Sequence, residues 1–94
     1  MAESEPDKII TPNVLEEKIR AGIENVEFVQ AVDLSDGCGS KFEITVVSSA
    51  FSGLKIIAQH RLVNKAIEVE RKFIHATTLK TKTPESWQSE QQDA

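Results

Sequence analysis

Residues 26–49 read VEFVQAVDLSDGCGSKFEITVVSS, and this stretch decides the fold of the chain. Apolar and polar residues alternate in both of its halves, a pattern typical of strands with one buried face. The polar segment 35–40 joins the halves, so the stretch predicts a β-hairpin whose loop is longer than a two-residue turn. The residues expected on the buried faces are Val26, Phe28, Val32 and Leu34 in the first half, and Phe42, Ile44 and Val46 in the second.

A helix is predicted before this hairpin. Thr11 and Pro12 make a typical helix start, with Thr as the N-cap and Pro at the first helical position. Leu15, Ile19 and Ile23 follow at intervals of four residues and form one apolar stripe. This stripe predicts a helix that packs against the sheet.

The longest helix is predicted after the hairpin, over residues 54–72. A third strand is expected over 73–81 and a short terminal helix over 83–92. The apolar side of the long helix carries Ile56, Ala58, Leu62, Val63, Ala66, Ile67 and Val69, and its polar side carries His60, Arg61, Asn64, Lys65 and Glu68. His60 is expected at the border between core and solvent.

The order helix, strand, strand, helix, strand, helix predicts an α+β fold. We expect a small three-stranded mixed sheet with the helices packed on one face. The domain boundaries are a flexible lead-in over 1–10, a folded domain over 11–88 and a polar tail over 89–94.

Size and charge limit the function classes. The chain has 94 residues, a net charge of −4 and 39% hydrophobic residues, as expected for one small globular domain. An acidic balance argues against a general phosphate-binding surface. The N-terminus has no apolar signal segment, and no apolar run reaches the ~20 residues that span a bilayer. We expect a cytoplasmic or nucleocytoplasmic protein without a membrane anchor, monomeric in the absence of a partner.

The metal-binding side chains are few. Cys38, His60 and His75 are the only cysteine and histidines. A structural zinc site takes four such ligands, and a [2Fe–2S] cluster also takes four. If Cys38 binds iron, a partner must therefore supply the remaining ligands. Glycines flank Cys38, so we expect a flexible loop, which is poorly suited to the fixed geometry that catalysis needs. We do not expect an enzyme.

Each of these residues also has a structural interpretation. A lone loop cysteine can be incidental, His60 can be a hydrogen-bonded helix residue, and His75 can be a partly buried strand residue. A nucleic-acid-binding module is the alternative function, because the element order is that of the KH fold, whose GxxG loop clamps phosphates. Here Ile56 stands where the second glycine would be. A basic strip remains, formed by Lys55, Arg61, Lys65, Arg71 and Lys72.

Four short motifs resemble those of the BolA family, in the family's order. They are Phe51-x-Gly53, His60-Arg61-x-Val63-Asn64, Ile74-His75-Ala76 and Thr83-Pro84-x-x-Trp87, and together with the first helix the similarity covers roughly residues 11–88. The segment GCGSKFEITVVS resembles the cytosolic branch of the family, which carries cysteine in the hairpin loop.

This resemblance implies a class II KH-like fold without a GxxG loop. It also implies a partner, a monothiol glutaredoxin with a Cys-Gly-Phe-Ser active site, and a [2Fe–2S] cluster shared with that partner and glutathione. The family's cluster ligands correspond to Cys38 and His75. His60, with Arg61, Asn64 and Lys65, then belongs to the partner surface, as auxiliary residues. The implied function is an adaptor in iron–sulfur cluster assembly, trafficking or iron sensing.

Two positions depart from the family pattern. Gln59 stands where an arginine often precedes His-Arg, and Leu54 where a lysine often follows the glycine of Phe-x-Gly. Both lie on or near the expected contact helix, so we expect them to affect partner docking and any phosphate contact.

Overall fold

The computed structural model describes residues 9–35 and 39–92, the last two by their backbone alone. The fold class is confirmed: three helices accompany a three-stranded sheet in the predicted order. The elements are α1 (Pro12–Gly22), β1 (Val26–Asp33), β2 (Lys41–Ser48), α2 (Ile56–Ala66), β3 (Ala76–Lys82) and α3 (Pro84–Gln92), with short 3-10 helices at Ser49–Phe51 and Glu70–Phe73. Within the described residues, no helix is long and apolar enough to span a bilayer.

The sheet is mixed. β2 lies in the centre, antiparallel to β1 and parallel to β3. The hairpin therefore joins β1 to β2, and the crossover through α2 returns the chain to β3. As a result, the hairpin loop and the start of β3 lie at the same end of the sheet, where Lys41 pairs with Ala76.

α1 begins where the sequence predicts. The Thr11 hydroxyl accepts a hydrogen bond from the Val14 N–H at 3.4 Å, and Pro12 is the first helical residue. The predicted stripe of Leu15, Ile19 and Ile23 is buried. Ile10, at the end of the predicted lead-in, is only 1% exposed and belongs to the same core.

Beyond Val26, which packs against the core, the predicted buried face of β1 is wrong. Val29 and Ala31 face the core, whereas Val32 and Leu34 are exposed. A register irregularity near Phe28 shifts the pairing, so the alternation does not run evenly from the start of the strand. Both faces of this strand carry apolar residues, so alternation alone did not determine which one is buried. The predicted face of β2 is confirmed, with Phe42, Ile44 and Val46 buried.

α2 is shorter than predicted. It ends at Ala66, and the next residue, Ile67, is non-helical but buried. The chain then turns into the 3-10 helix Glu70–Phe73 and reaches β3. Val69 lies beyond the end of this helix and is 51% exposed. Ile56, the first residue of α2, is 58% exposed. These residues do not form the apolar face that the sequence predicts.

Gln59 is buried between α2 and β3. Its side-chain N–H donates to the Leu54 carbonyl at 2.9 Å, and its side-chain oxygen accepts from the Thr81 hydroxyl at 2.6 Å. Gln59 lies on the expected contact helix, as predicted, but its side chain is buried and faces the fold. This side chain joins the start of α2 to β3.

α1 and α2 pack on one face of the sheet, as predicted, but α3 contacts the opposite face. Phe28 pairs with Val47, on the face turned away from the core residues Val29 and Val46. The Trp87 ring of α3 stacks on Phe28 with ring centroids 5.1 Å apart. α3 therefore covers one end of the face that the other helices leave open.

Candidate metal centre at the hairpin end of the sheet

The hairpin end of the sheet holds one of the two predicted cluster ligands and the flanks of the other. His75 lies immediately before β3. Cys38 lies outside the described residues, but Ser35 and Gly39 on either side of residues 36–38 are described. The Leu34 N–H donates to the Lys41 carbonyl at 2.8 Å and closes the hairpin below the loop.

The Asp33 carboxylate organises the loop. One oxygen accepts from the Ser35 N–H at 2.8 Å and from the Ser35 hydroxyl at 2.5 Å. The other accepts from the Gly39 N–H at 3.1 Å, on the far side of the loop. Hydrogen bonds to a charged acceptor are stronger than neutral ones. The two described flanks of the loop are therefore held together by a single side chain.

Gly39 has a special backbone conformation and close packing, whereas the predicted flexibility of Cys38 falls outside the described residues. Gly39 has φ +72°, in the region that favours glycine, and it is buried. A Cβ at this position would lie 2.5 Å from the Ile10 carbonyl oxygen. The glycine is therefore required by backbone conformation and by close packing.

Ser40 connects the loop to the predicted histidine ligand. Its N–H donates to the Ser35 hydroxyl at 3.0 Å. Its carbonyl accepts from the His75 N–H at 2.7 Å and from the Ala76 N–H at 3.0 Å. Residue 40 is two positions after Cys38 in the sequence, so the backbone of His75 is bonded directly to the loop that contains the cysteine.

His75 is suited to bind an external group. Its side chain is exposed and makes no hydrogen bond to another described residue, whereas the preceding Ile74 packs against the core. This differs from the partly buried strand histidine that was the structural interpretation. A neutral imidazole with a free nitrogen can ligate a metal, so the chemistry of His75 fits one iron ligand. Among the described residues, no three His, Cys, Asp or Glu side chains are placed to hold a metal.

The predicted auxiliary residues lie on α2. His60 is half-buried, as expected at the border of core and solvent, and Arg61 and Lys65 are exposed. Asn64 is half-buried, and its side-chain oxygen is buried without a hydrogen-bond partner among the described residues. These residues share a helix and belong to no metal-binding group in the part of the chain that the structure describes.

Two exposed apolar side chains flank the hairpin end. Leu34 is 55% exposed beside the loop, and Ile9, which approaches Gly39, is 60% exposed. These two side chains leave apolar area accessible to a partner beside the candidate site.

Sequence reasoning missed Asp33 and Ser35. The signal was present: Asp and Ser side chains often bond to backbone N–H groups a few residues away and so shape loops. The pattern Asp33-x-Ser35 therefore indicated side-chain bonds to the backbone at the flanks of the loop.

Comparison with known proteins supports the resemblance. A family model described as BolA-like protein matches residues 15–86. Protein BOLA2 of Arabidopsis thaliana is 37% identical over 87 residues, which are 92% of this chain and 92% of that protein. A crystal structure of a Bol-like protein from Babesia bovis has a TM-score of 0.79 and 35% identity, covering 92% of this chain and 99% of the other. The solution structure of yeast Fra2 has a TM-score of 0.69 and 41% identity, covering 83% of this chain and 84% of the other.

Proposed function

Because this chain belongs to the BolA-like protein family, we propose that it is a non-enzymatic adaptor in iron–sulfur cluster trafficking or iron sensing. It forms a complex with a monothiol glutaredoxin of the Cys-Gly-Phe-Ser type, bridged by a [2Fe–2S] cluster. The observation that carries the proposal is the exposed His75, whose backbone is bonded to the loop that contains Cys38.

The proposed ligand set divides the cluster between two proteins. The glutaredoxin cysteine and glutathione supply two thiolates, and Cys38 and His75 supply the other two ligands. Consecutive Cα atoms are about 3.8 Å apart, so Cys38 and Ser40 stay close along the chain, and the Ser40 carbonyl is 2.7 Å from the His75 nitrogen. This connection supports ligation of one iron by both residues.

Each residue of this chain has a defined task in the proposed complex. His75 presents a neutral ring nitrogen, and Cys38 must lose its proton to bind as a thiolate. The bound cluster supplies electron transfer or iron release, and mixed Cys/His ligation alters its potential relative to four thiolates. The hydrogen bond from the Gly39 N–H to the Asp33 carboxylate orients the flanks of the loop that contains Cys38.

The partner surface is proposed to include α2 and the hairpin end. Arg61 and Lys65 are exposed on α2, beside the half-buried His60 and Asn64. Around the ligands, the exposed Leu34 supplies apolar area. A partner that covered these residues would exclude water from the cluster, in line with the apolar centre and polar rim of protein interfaces.

The test is reconstitution. The chain is mixed with a monothiol glutaredoxin, glutathione, iron and sulfide, and visible absorption and circular dichroism are recorded. We expect a spectrum that differs from that of the glutaredoxin alone, because an imidazole replaces a thiolate on one iron. Replacing both Cys38 and His75 by Ala should abolish this difference.

His60→Ala is the matched control, since it removes the other histidine of the chain. At saturating concentration it should keep the wild-type spectrum. A wild-type mixture indistinguishable from the glutaredoxin alone contradicts the proposal, and so does a double variant with the wild-type spectrum.

Nucleic-acid binding remains the alternative prediction, and the location in cytoplasm or nucleus is also still a prediction. The five cations of the basic strip are all exposed, which the alternative requires. It predicts binding at physiological salt that weakens in Lys55→Ala or Arg61→Ala. Binding that disappears above very low salt would show that the basic strip attracts nucleic acid only through non-specific electrostatics, and would contradict the alternative.

A further inference from the structure

We infer that Asp33 and Ser35 are positioning residues for His75, acting through Ser40. The inference rests on the proposed function, because it concerns how the histidine ligand of the same site is held. Neither residue is a metal ligand in this account. Their role follows from a continuous series of hydrogen bonds that runs from β1 through the loop to the start of β3.

The first hydrogen bond of this series has a charged acceptor. The Asp33 carboxylate accepts a hydrogen bond from the Ser35 hydroxyl, with 2.5 Å between the two oxygens, and this bond fixes the direction of the hydroxyl. The oxygen of the same hydroxyl then accepts the Ser40 N–H at 3.0 Å. A hydroxyl that donates to a carboxylate becomes a better acceptor, so the two bonds strengthen each other.

The second step crosses to another strand. Ser40, whose N–H is bonded to Ser35, accepts with its carbonyl from the His75 N–H at 2.7 Å and from the Ala76 N–H at 3.0 Å. This shared acceptor fixes the point at which β3 begins to pair with β2. The His75 backbone is therefore bonded to the same residue, Ser40, whose N–H is bonded to Ser35.

The simpler interpretation is that Asp33 and Ser35 only close a hairpin. A hairpin is already closed by the bond between Leu34 and Lys41. The additional bonds extend to a residue 40 positions further along the chain than Ser35, beyond anything that the turn requires. The two interpretations differ in whether removal of the Ser35 hydroxyl changes the backbone position of His75.

The first measurement uses the chain without partner or metal. Ser35→Ala removes the hydroxyl but leaves the backbone N–H bond to Asp33. We expect the His75 amide to exchange with solvent about five-fold faster, as the loss of about 1 kcal/mol of hydrogen-bond energy predicts. Ser35→Thr keeps a hydroxyl and should restore protection. Ser89→Ala, an exposed serine on α3, is the matched control and should leave His75 unchanged.

The second measurement uses the reconstituted complex with glutaredoxin. Ser35→Ala and Asp33→Asn should shift the circular dichroism bands of the bridged cluster and, after one-electron reduction with dithionite, its electron paramagnetic resonance g-values. Ser35→Thr should restore both. Asp33→Asn keeps one acceptor oxygen and loses the second, so it tests the carboxylate specifically.

The outcomes separate the inference from the function on which it rests. If Ser35→Ala leaves His75 exchange unchanged, or changes exchange but not the cluster spectra, the positioning role is overturned while the bridged complex stands. If the wild-type chain forms no bridged cluster, the proposed function fails and the positioning role fails with it. Faster exchange, altered spectra and rescue by Ser35→Thr together support the inference.

Discussion

At the scale of single residues, Gly39 shows how the loop is built. Its φ of +72° is unfavourable for any residue with a Cβ, and its neighbour across the contact is the backbone of Ile10. Gly53 has a similar φ of +80°, but a Cβ there would meet nothing within 4 Å. The two glycines therefore share the left-handed backbone conformation, but only Gly39 is also closely packed.

This difference gives a prediction for Gly39→Ala and Gly53→Ala. Gly53→Ala should lower the free energy of unfolding by about 1–2 kcal/mol, the cost of the left-handed conformation alone. Gly39→Ala should lower it by about 3 kcal/mol or more, because overpacking adds to that cost. Urea denaturation followed by circular dichroism measures both, and equal effects would show that the Ile10 contact is unimportant.

The sequence predicts the two ligands of the candidate site, and this assignment stays a prediction, but it does not predict the hydrogen bonds around them. The ligand count showed that Cys38, His60 and His75 cannot complete a cluster within the chain, and the family motifs selected Cys38 and His75. The sequence did not predict the Ser40 carbonyl as the link between loop and histidine. Backbone bonds between residues 40 and 75 depend on the parallel register of β2 and β3, which no local pattern encodes.

At the scale of elements, α2 is anchored by a buried polar side chain. Gln59 is 8% exposed and hydrogen-bonds to Leu54 before the helix and to Thr81 on β3. Buried polar groups with satisfied bonds fix one arrangement of neighbouring elements, whereas an unpaired partner is costly. The start of α2, which the proposed partner surface includes, depends on this anchor.

Gln59→Ala should therefore lower the free energy of unfolding by about 1–3 kcal/mol, since partners of Gln59 lose their bonds. Gln88→Ala makes the same chemical change at an exposed position of α3 and should have an effect below about 0.5 kcal/mol. Thermal or urea denaturation decides the comparison. Similar losses for both variants would contradict the anchoring role.

The elements themselves were largely predictable. The α1 cap and stripe, the β2 face and the Thr83-Pro84 start of α3 all follow from local patterns that the tertiary structure keeps. The face of β1 and the end of α2 were not predicted, because a pairing irregularity and a return path to β3 determine them. Tertiary contacts therefore override local patterns where the chain changes direction.

At the scale of the whole molecule, the sheet has two unlike faces. α1 and α2 bury one face, and the other is covered only at one end, by Trp87 of α3 on Phe28. Further along this open face, Glu43 and Lys80 form an ion pair at 2.8 Å, and the carboxylate raises the pKa of the Lys80 ammonium. The helix content was predicted, but not the side on which α3 lies, because its amphipathic pattern is weak.

Trp87 is the single tryptophan, so its fluorescence reports the docking of α3. Phe28→Leu removes the aromatic partner and should shift the native emission and lower the free energy of unfolding by about 0.5–1.5 kcal/mol beyond the lost area. Phe42→Leu, on the helix-covered face, should lower stability but keep the native emission. An unchanged emission in Phe28→Leu would contradict the placement of α3.

The central claim is that His75 ligates a cluster shared with a glutaredoxin. The most direct measurement is pulsed electron paramagnetic resonance of the reduced complex, made with ¹⁵N-labelled chain and unlabelled glutaredoxin and glutathione. The account predicts hyperfine coupling from a directly bound ¹⁵N imidazole nitrogen, present in His60→Ala and absent in His75→Ala. A wild-type complex without this coupling, or with the same coupling in His75→Ala, would contradict it.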